Sequence, residues 1–574
     1  MVTPTTKPIG HEEKGHRGVT TNSDGALKWW QRAVFYEITP ISFQDSNGDG
    51  KGDIQGLISR IDYLEWLGID AVWLTPIFRS PMLDLGYDIT DFCDVDGVFG
   101  TMEDVDRLIT LLHERQIRVI LDFVPNHTSD QHPWFQESRF SRTNPKRDWY
   151  VWASAGANGG PPNNWLSRFG GSAWQWDDRT GEYYYHSFLK EQPDLNWRNP
   201  EVRHAMADVL RFWLRRGVDG VRMDASAVLI EDELLRDDPR DPAATSKTPP
   251  PQRLKRIFTD DRRESLKCLE EIRKIIDEFP DRVLAGEVQG KTDRIGHFYG
   301  EECPRCHLPL NFALLDSPWD ALSLQANIDA YLNAIPQDAW PDWVIGGHDK
   351  KRAASKTGQA QARILATLLL TLRGTPFFFA GDELGMEQVS ISPEAAQDPF
   401  EKFVPGYDLS RDPQRTPMRW DETHCAGFTT AEPWLPIGSD FQSNNVARLQ
   451  KDRRSILWLY RRLIQLRRTE PALMVGDHIP VRSRDGLLMH KRSWQGQEIL
   501  VALNLVAEPR RFEWNAAGRL LLSTYLDTSD VEVKSPLSYV QTKESSSSSQ
   551  IHESHMVIKL GYTVPFFSRV SMQP

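Results

Sequence analysis

Cysteine is scarce. Five in 574 residues are too few to organise a chain of this size by disulfides, and they fit a reducing, cytoplasmic setting. No apolar run approaches the ~20 residues that a membrane-spanning helix needs; the nearest, Ile364 to Leu372, is short and holds two threonines. Net positive charge is missing too. With 68 Lys and Arg against 80 Asp and Glu the balance is −12, the wrong sign for a phosphate-binding surface, so a nucleic-acid partner is not expected. Residues 1–28 are polar, lack the apolar core of a secretory signal and read as a disordered leader. Aromatics, by contrast, are plentiful: the 20 tryptophans can fill cores, and their indole faces can also stack on sugar rings.

Short apolar runs rich in β-formers recur at 33–38, 70–74, 117–122, 219–223, 282–286, 308–312, 342–345 and 375–380. Amphipathic stretches separate several of them. Leu57, Ile61 and Leu64 recur at helical spacing before Gly68, predicting one helix from Ile54 to Gly68. Thr101 to Asp104 forms a capping-box pattern ahead of Val105, Leu108, Ile109 and Leu112. Eight buried parallel strands alternating with helices predict a (β/α)8 barrel. The interval after the third strand is far too long for one helix, so residues 128–197, rich in Trp, Tyr, Gly and Pro, are expected to form an inserted irregular domain B. The barrel then occupies 29–127 and 198–475, the charged, Pro-rich 236–263 is a long insertion or lid, and 476–574 is a C-terminal antiparallel β-domain. Within that last part, the polar stretch 541–554 reads as a flexible loop.

Polar residues gather at the C-terminal ends of the proposed strands, where barrel chemistry happens. The third strand ends in Asp122 to His127 (DFVPNH), the fourth in Arg222, Met223 and Asp224, the fifth in Glu287, and the seventh is followed by His348 and Asp349. DFVPNH, GVRMDA, GEV and the HD of GGHD, in that order, resemble the conserved regions of the α-amylase family of glycoside hydrolases, over about residues 29–480. DSNGDGKGD at 45–53, GYDITD at 86–91 and DPQRTPMRW at 412–420 resemble its α-glucosidase-like subgroup.

The resemblance implies a retaining mechanism, with two carboxyl groups about 5–5.5 Å apart flanking the scissile bond. Asp224 matches the nucleophile, Glu287 the general acid/base and Asp349 the third carboxylate, which holds sugar hydroxyls. Arg222, two residues before Asp224 on a strand, points to the same face and favours its ionised form. Asp84 and Arg415 match residues that close the first sugar subsite, Tyr87 would stack on the ring, and His127 and His348 would donate to hydroxyls. An Asp–Arg pair closing the subsite favours removal of one glucose from a chain end. Ala225, next to the nucleophile, corresponds in the subgroup to a preference for α-1,4 over α-1,6 linkages.

In the loop from Asp45 to Asp53, oxygen side chains alternate with glycines, a pattern that suits a hard cation. The resemblance implies a structural, non-catalytic Ca²⁺ on Asp45, Asn47, Asp49, Asp53 and the Lys51 carbonyl; no organic cofactor is expected. Cys303 and Cys306 read as two ordinary thiols. Two positions depart from the family pattern: Gly347 stands where Asn usually precedes His-Asp, and Leu85 where Asn usually precedes Gly. The leading expectation is an exo-acting α-glucosidase taking short α-linked glucosides. The alternatives are a transglucosylase or isomerase of the trehalose-synthase or sucrose-active kind, and a non-catalytic scaffold; intact carboxylates argue against the last.

Overall fold

The computed structural model describes residues 27–288, 294–300, 303–484, 486–508, 510, 512–514, 516–529, 531–533, 537–538 and 555–560. Nearly all of the expected leader and the polar stretch 541–554 therefore lie outside the described residues. Eight parallel strands form one sheet: β1 (Phe35–Ile38), β2 (Ala71–Leu74), β3 (Arg118–Phe123), β4 (Gly220–Met223), β5 (Val283–Glu287), β6 (Leu308–Leu310), β7 (Asp342–Val344) and β8 (Thr375–Phe379). Each falls on one of the eight apolar runs. The hydrogen-bonded order is β6-β5-β4-β3-β2-β1-β8-β7. The ring closes between its two ends, where the Val344 N–H donates to the Asn311 carbonyl at 3.1 Å and the Asn311 N–H to the Asp342 carboxylate at 2.9 Å. The chain is a (β/α)8 barrel. β1, β2, β4, β5 and β8 are buried at every position, as strands covered on both faces must be.

Strand register sets the active end. Asp122 on β3 lies opposite Arg222 on β4, which lies opposite Ala285 on β5, so their side chains emerge at one level of the barrel. Glu287 is the last residue of β5, paired with Leu310.

The helical expectations hold with one correction. The Thr101 hydroxyl accepts from the Asp104 N–H at 3.3 Å and the Asp104 carboxylate from the Thr101 N–H at 2.9 Å, completing the capping box. The segment after Asp53 is not one helix but two, Ile54–Ser59 and Ile61–Leu67, broken at Arg60 (φ −110°, ψ 8°). The apolar periodicity runs unbroken through that kink, which is why the sequence conceals it. Gly68 ends the second helix at φ +91°, a left-handed conformation that suits a residue without Cβ.

Between β3 and β4 the chain builds a three-stranded antiparallel sheet from Trp152–Ala153, Glu182–Tyr185 and Trp174–Asp177. Its own small core holds Trp165, Trp174 and Tyr185. After the barrel, a six-stranded antiparallel sheet runs in the order Asp477–Arg484, Leu487–Trp494, Gln497–Asn504, His555–Leu560, Gly518–Ser523, Val531–Val533. One fully buried guanidinium, Arg492 on the strand Leu487–Trp494, joins it to the barrel, and a second, Arg467 on the helix Ile456–Thr469, braces the barrel segments beside it. Arg467 donates to the carbonyls of Leu370, Leu372, Gly374 and Leu473, and Arg492 to those of Thr371, Leu473 and Gly476. All but those of Gly374 and Gly476 lie at the C-terminal ends of the helices Gln359–Thr371 and Pro471–Met474. Helix C-termini carry unpaired acceptors and partial negative charge, which buried cations offset.

Candidate active site

A cleft of about 910 Å³ opens at the C-terminal end of the barrel, with Glu287, Asp349 and Arg411 in its wall. At its base lies Arg222, only 2% exposed. Nη1 of Arg222 binds Asp122 Oδ1 at 2.8 Å and Asp224 Oδ1 at 2.9 Å, and Nη2 binds Glu287 Oε2 at 2.8 Å. One planar guanidinium thus holds three carboxyl groups from adjacent strands. Burial pushes the Asp224 carboxyl well above the usual range; Arg222 pulls it down, while Glu287, Asp122 and Asp349 push it up. So many acidic groups around one cation cannot all ionise at neutral pH without large cost. The Glu287 backbone carbonyl accepts from the Ser226 hydroxyl, which ties β5 to the turn after β4.

Asp349 is held as an anion. Burial opposes its ionisation, but His348, Arg411 and Arg415 hold its carboxyl well below the ordinary range. It is 34% exposed, toward the cleft. Its oxygens receive Arg415 Nη2 at 2.6 Å, Arg411 Nη1 at 3.2 Å and His348 Nε2 at 3.2 Å. Nδ1 of His348 lies 2.5 Å from Glu37 Oε1 on β1, and its Nε2 lies 2.8 Å from the Tyr87 hydroxyl. Burial acts to strip the proton from this imidazole, but Asp349 and Glu37 outweigh it and raise the pKa to about 9. His348 is therefore cationic at neutral pH. His127 is the opposite case: burial lowers it to about 4, and it sits neutral between Asn126 Oδ1 at 2.8 Å and Gln192 Nε2 at 3.1 Å.

All the expected side chains except the cation loop converge on this end of the barrel, with one change of partner. Asp84 was expected to pair with Arg415. It pairs instead with Arg411, Nη2 to Oδ1 at 2.7 Å, while Arg415 reaches Asp349 and the His348 carbonyl. Arg411 is also held by Asp398 at 2.9 Å, with the rings of Phe169 and Phe400 against it at 5.2 and 5.3 Å. Both arginines belong to the run RDPQR, and spacing alone could not say which one turns inward. Tyr87 stacks on the His348 imidazole, with centroids 5.5 Å apart, and donates to Asp122 at 2.7 Å. Ala225 is buried with φ +49°. Glu37 was missed by the sequence reading, although a carboxylate inside an otherwise apolar buried strand is a signal in itself.

The two glycines before His348 have different reasons. A Cβ at Gly346 would stand 2.0 Å from Asp382 Oδ2, so a side chain is excluded. At Gly347 it would stand 3.2 Å from Glu37 Oε2, a buried atom with no hydrogen-bond partner among the described residues. A residue at 347 therefore needs a small shift of Glu37.

In the Asp45–Asp53 loop the donor set is all oxygen, which fits a hard cation. In the structure those oxygens serve the loop itself. Asp45 accepts from the N–H groups of Asn47, Gly48 and Gly50, and Asp53 caps the following helix through the Gly56 N–H at 2.7 Å and accepts from the Ser46 N–H at 2.8 Å. Among the described residues no three His, Cys, Asp or Glu side chains converge as a metal cluster. Cys303 and Cys306 are both free thiols, the first exposed and the second buried. The neighbouring His307 ring accepts from the Leu284 N–H at 3.0 Å.

Comparison with known proteins places this geometry. A family model described as the α-amylase catalytic domain matches residues 37–476. A probable α-glucosidase of Rhizobium meliloti is 42% identical over 498 residues, which is 84% of this chain and 90% of that protein. An oligo-1,6-glucosidase of Parageobacillus thermoglucosidasius is 36% identical, over 84% of this chain and 91% of that protein. Among solved structures, the α-glucosyl transfer enzyme XgtA matches with a TM-score of 0.86 at 37% identity, over 93% of this chain and all of its own (100%). The trehalulose synthase MutB of Pseudomonas mesoacidophila MX-45 matches with a TM-score of 0.83 at 34% identity, over 93% of this chain and 100% of its own. Among the described residues no helix is long and apolar enough to cross a membrane.

The His348 proton gives a pH test. Its folded pKa of about 9 lies above the unfolded value near 6.5. The stability it contributes is therefore complete below about pH 6.5 and is lost as pH rises through about 9. Glu37→Gln keeps the shape and removes one of the two charges that hold the proton; Asp349, Tyr87 and the edge of Trp73 still face the ring. The alkaline limb of kcat/KM should move to lower pH by roughly a unit or more, and the loss of melting temperature between pH 6.5 and 9 should shrink. A limb that stays in place contradicts a protonated His348 in the working enzyme.

Proposed function

The chain belongs to the α-amylase catalytic-domain family and is an α-glucosidase-like glycoside hydrolase, and on that premise we propose that it removes single glucose units from the non-reducing ends of short α-linked glucosides, with retention of configuration. The observation that carries this reading is the shared grip of Arg222 on Asp224 and Glu287. A single guanidinium fork keeps two carboxyl groups facing the same space, which suits the about 5–5.5 Å spacing of retaining enzymes. Asp224 attacks the anomeric carbon and forms a glucosyl ester while Glu287 gives its proton to the departing oxygen. Glu287 then takes a proton from the incoming water, which breaks the ester and returns Asp224 as a carboxylate. Asp349, His348, His127, Arg415, Asp84 and Tyr87 hold the glucosyl ring. Asp349 and His348 act as a fixed anion and cation, and the Nη1 of Arg415 is a buried donor without a partner among the described residues. The Asp84–Arg411 pair, backed by Asp398 and two phenylalanines, ends the subsite. A closed end supports action at a chain terminus.

A second reading is supported by the solved relatives, whose names describe glucosyl transfer and trehalulose synthesis. The same glucosyl ester serves transfer if a sugar rather than water reaches it. Incubation with sucrose and product analysis separates the two. Free glucose and fructose as the main products support hydrolysis; a new disaccharide as the main product supports isomerisation.

Asp224→Asn should abolish turnover of maltose. Glu287→Gln should lower kcat far more for maltose than for an activated aryl α-glucoside, whose leaving group departs without help. Near-normal maltose turnover in either variant contradicts the roles given to these carboxyls.

Linkage preference rests on Ala225. Two extra methyl groups at this buried position would narrow the space that a 4-linked sugar needs, while a 6-linked sugar swings away on one more bond. Valine would also sit at φ +49°, where a β-branched residue is strained. The wild-type chain should prefer maltose to isomaltose, and Ala225→Val should move the ratio of kcat/KM toward isomaltose by roughly 1–3 kcal/mol. A wild-type preference for isomaltose, or an unchanged ratio in the variant, contradicts this.

The oxygen-rich Asp45–Asp53 loop supports a structural Ca²⁺ held by Asp45, Asn47, Asp49, Asp53 and the Lys51 carbonyl, with no part in the chemistry. Because a ligand of the native state stabilises it by mass action, chelation should lower the melting temperature and added Ca²⁺ should restore it. A metal-free sample with an unchanged melting temperature contradicts the ion.

A further inference from the structure

Glu287 lines the cleft together with Asp349 and Arg411. On the glucosidase reading the glucosyl ring takes the side of Asp349 and Arg411, and the leaving group the other. That second side is walled by residues from three places: Arg168 and Phe188 of the segment between β3 and β4, Pro251, Gln252, Leu254 and Arg256 of the Pro-rich insertion, and Asn311, Phe312, Asp316 and Lys350 beyond β6 and β7. We propose that this leaving-group side recognises an anionic aglycone, one carrying a carboxylate or a phosphate. The assignment rests on the glucosidase reading for where the aglycone lies.

The wall offers donors and positive charge, with few acceptors. Arg256 gives Nη1 to the Leu166 carbonyl at 2.8 Å and Nη2 to the Pro251 carbonyl at 3.1 Å. Carbonyls position a guanidinium without neutralising it. Arg168, its near neighbour, binds Asp260 at 2.8 Å, and Asp260 and Asp238 also act on Arg256. Burial, and then the charge of Arg168, depress the pKa of Arg256, so a bound anion would offset the repulsion between them. Asn311, 4% exposed, has its Oδ1 occupied by the Ala313 N–H at 2.9 Å, while its Nδ2 has no partner among the described residues. An unpaired buried donor on a cavity wall waits for an acceptor. Lys350 places its ammonium 4.7 Å over the Phe312 ring and 3.9 Å from Asp316, whose side chain is 66% exposed. A long ion pair with so exposed a partner screens little of that charge. A neutral sugar presents hydroxyls that both donate and accept, whereas a carboxylate or phosphate only accepts. The second description matches this wall.

The test compares aglycones that differ in charge. Maltose, maltobionate (a carboxylate in place of the reducing-end aldehyde) and maltose phosphorylated on its reducing-end glucose are given to the wild type, Arg256→Gln and Lys350→Gln. Each variant is first checked for a cooperative melt. At least one anionic substrate should exceed maltose in kcat/KM by tenfold or more in the wild type, and the arm that does so identifies carboxylate or phosphate as the ligand. The anionic-to-neutral ratio should fall by tenfold or more in Arg256→Gln, or in Lys350→Gln if the first variant does not fold. A wild-type ratio at or below one, or a ratio that survives both substitutions, overturns the proposal. The glucosidase reading fails separately, as absence of glucose release from maltose and from an aryl α-glucoside. In that event inhibition or binding decides. Gluconate or inorganic phosphate should bind the wild type at least tenfold more tightly than the Arg256→Gln or Lys350→Gln protein, and equal affinity overturns the site.

Discussion

The contact on which the catalytic end depends is the three-way grip of Arg222 on Asp122, Asp224 and Glu287. Parallel strands in register bring these groups to one level, and without a cation between them their mutual repulsion would scatter them. A buried guanidinium is expensive, and several buried carboxyls are more so. The site is tolerable only because the surrounding barrel fixes every member. Function and fold constrain each other here: the closed ring of eight strands holds the carboxyls close, and the shared cation lets them stay.

A second electrostatic layer is built on the first. Glu37, His348 and Asp349 alternate in sign outward from β1, two arginines, Arg415 and Arg411, face Asp349, and Arg411 meets Asp84 and Asp398 at the mouth of the cleft. The alternation fixes His348 as a cation and Asp349 as an anion before any sugar arrives, so no reorganisation is required when hydroxyls replace water. The same principle recurs away from the chemistry. Arg467 and Arg492 lie among helix-terminal carbonyls, and Arg492 ties the C-terminal sheet to the barrel.

Much of this was legible in the sequence. Strands buried on both faces read as apolar runs, and all eight were placed within a residue or two. The polar groups at their ends could be located because a barrel puts its chemistry there. The misses share a physical cause. The break at Arg60 left the apolar period intact, so pattern could not reveal it. The exchange of Arg411 for Arg415 turned on the path of an irregular segment, where spacing carries no direction. Glu37 was hidden because its role depends on a residue more than 300 positions away in the chain. The donor-rich wall beyond Glu287 is assembled from three separate segments and could not be read from any one of them.

The account stands on Asp224 as the nucleophile of a retaining glucosidase, and the most direct measurement is to trap the intermediate. A fluorinated α-glucosyl fluoride slows release of the glucosyl ester. After brief incubation and proteolysis, mass spectrometry should find the fluoroglucosyl group on the peptide that contains Asp224, and the Asp224→Asn protein should remain unlabelled. A label on another residue, or unlabelled wild-type enzyme that nonetheless releases β-glucose as its first product, would contradict it.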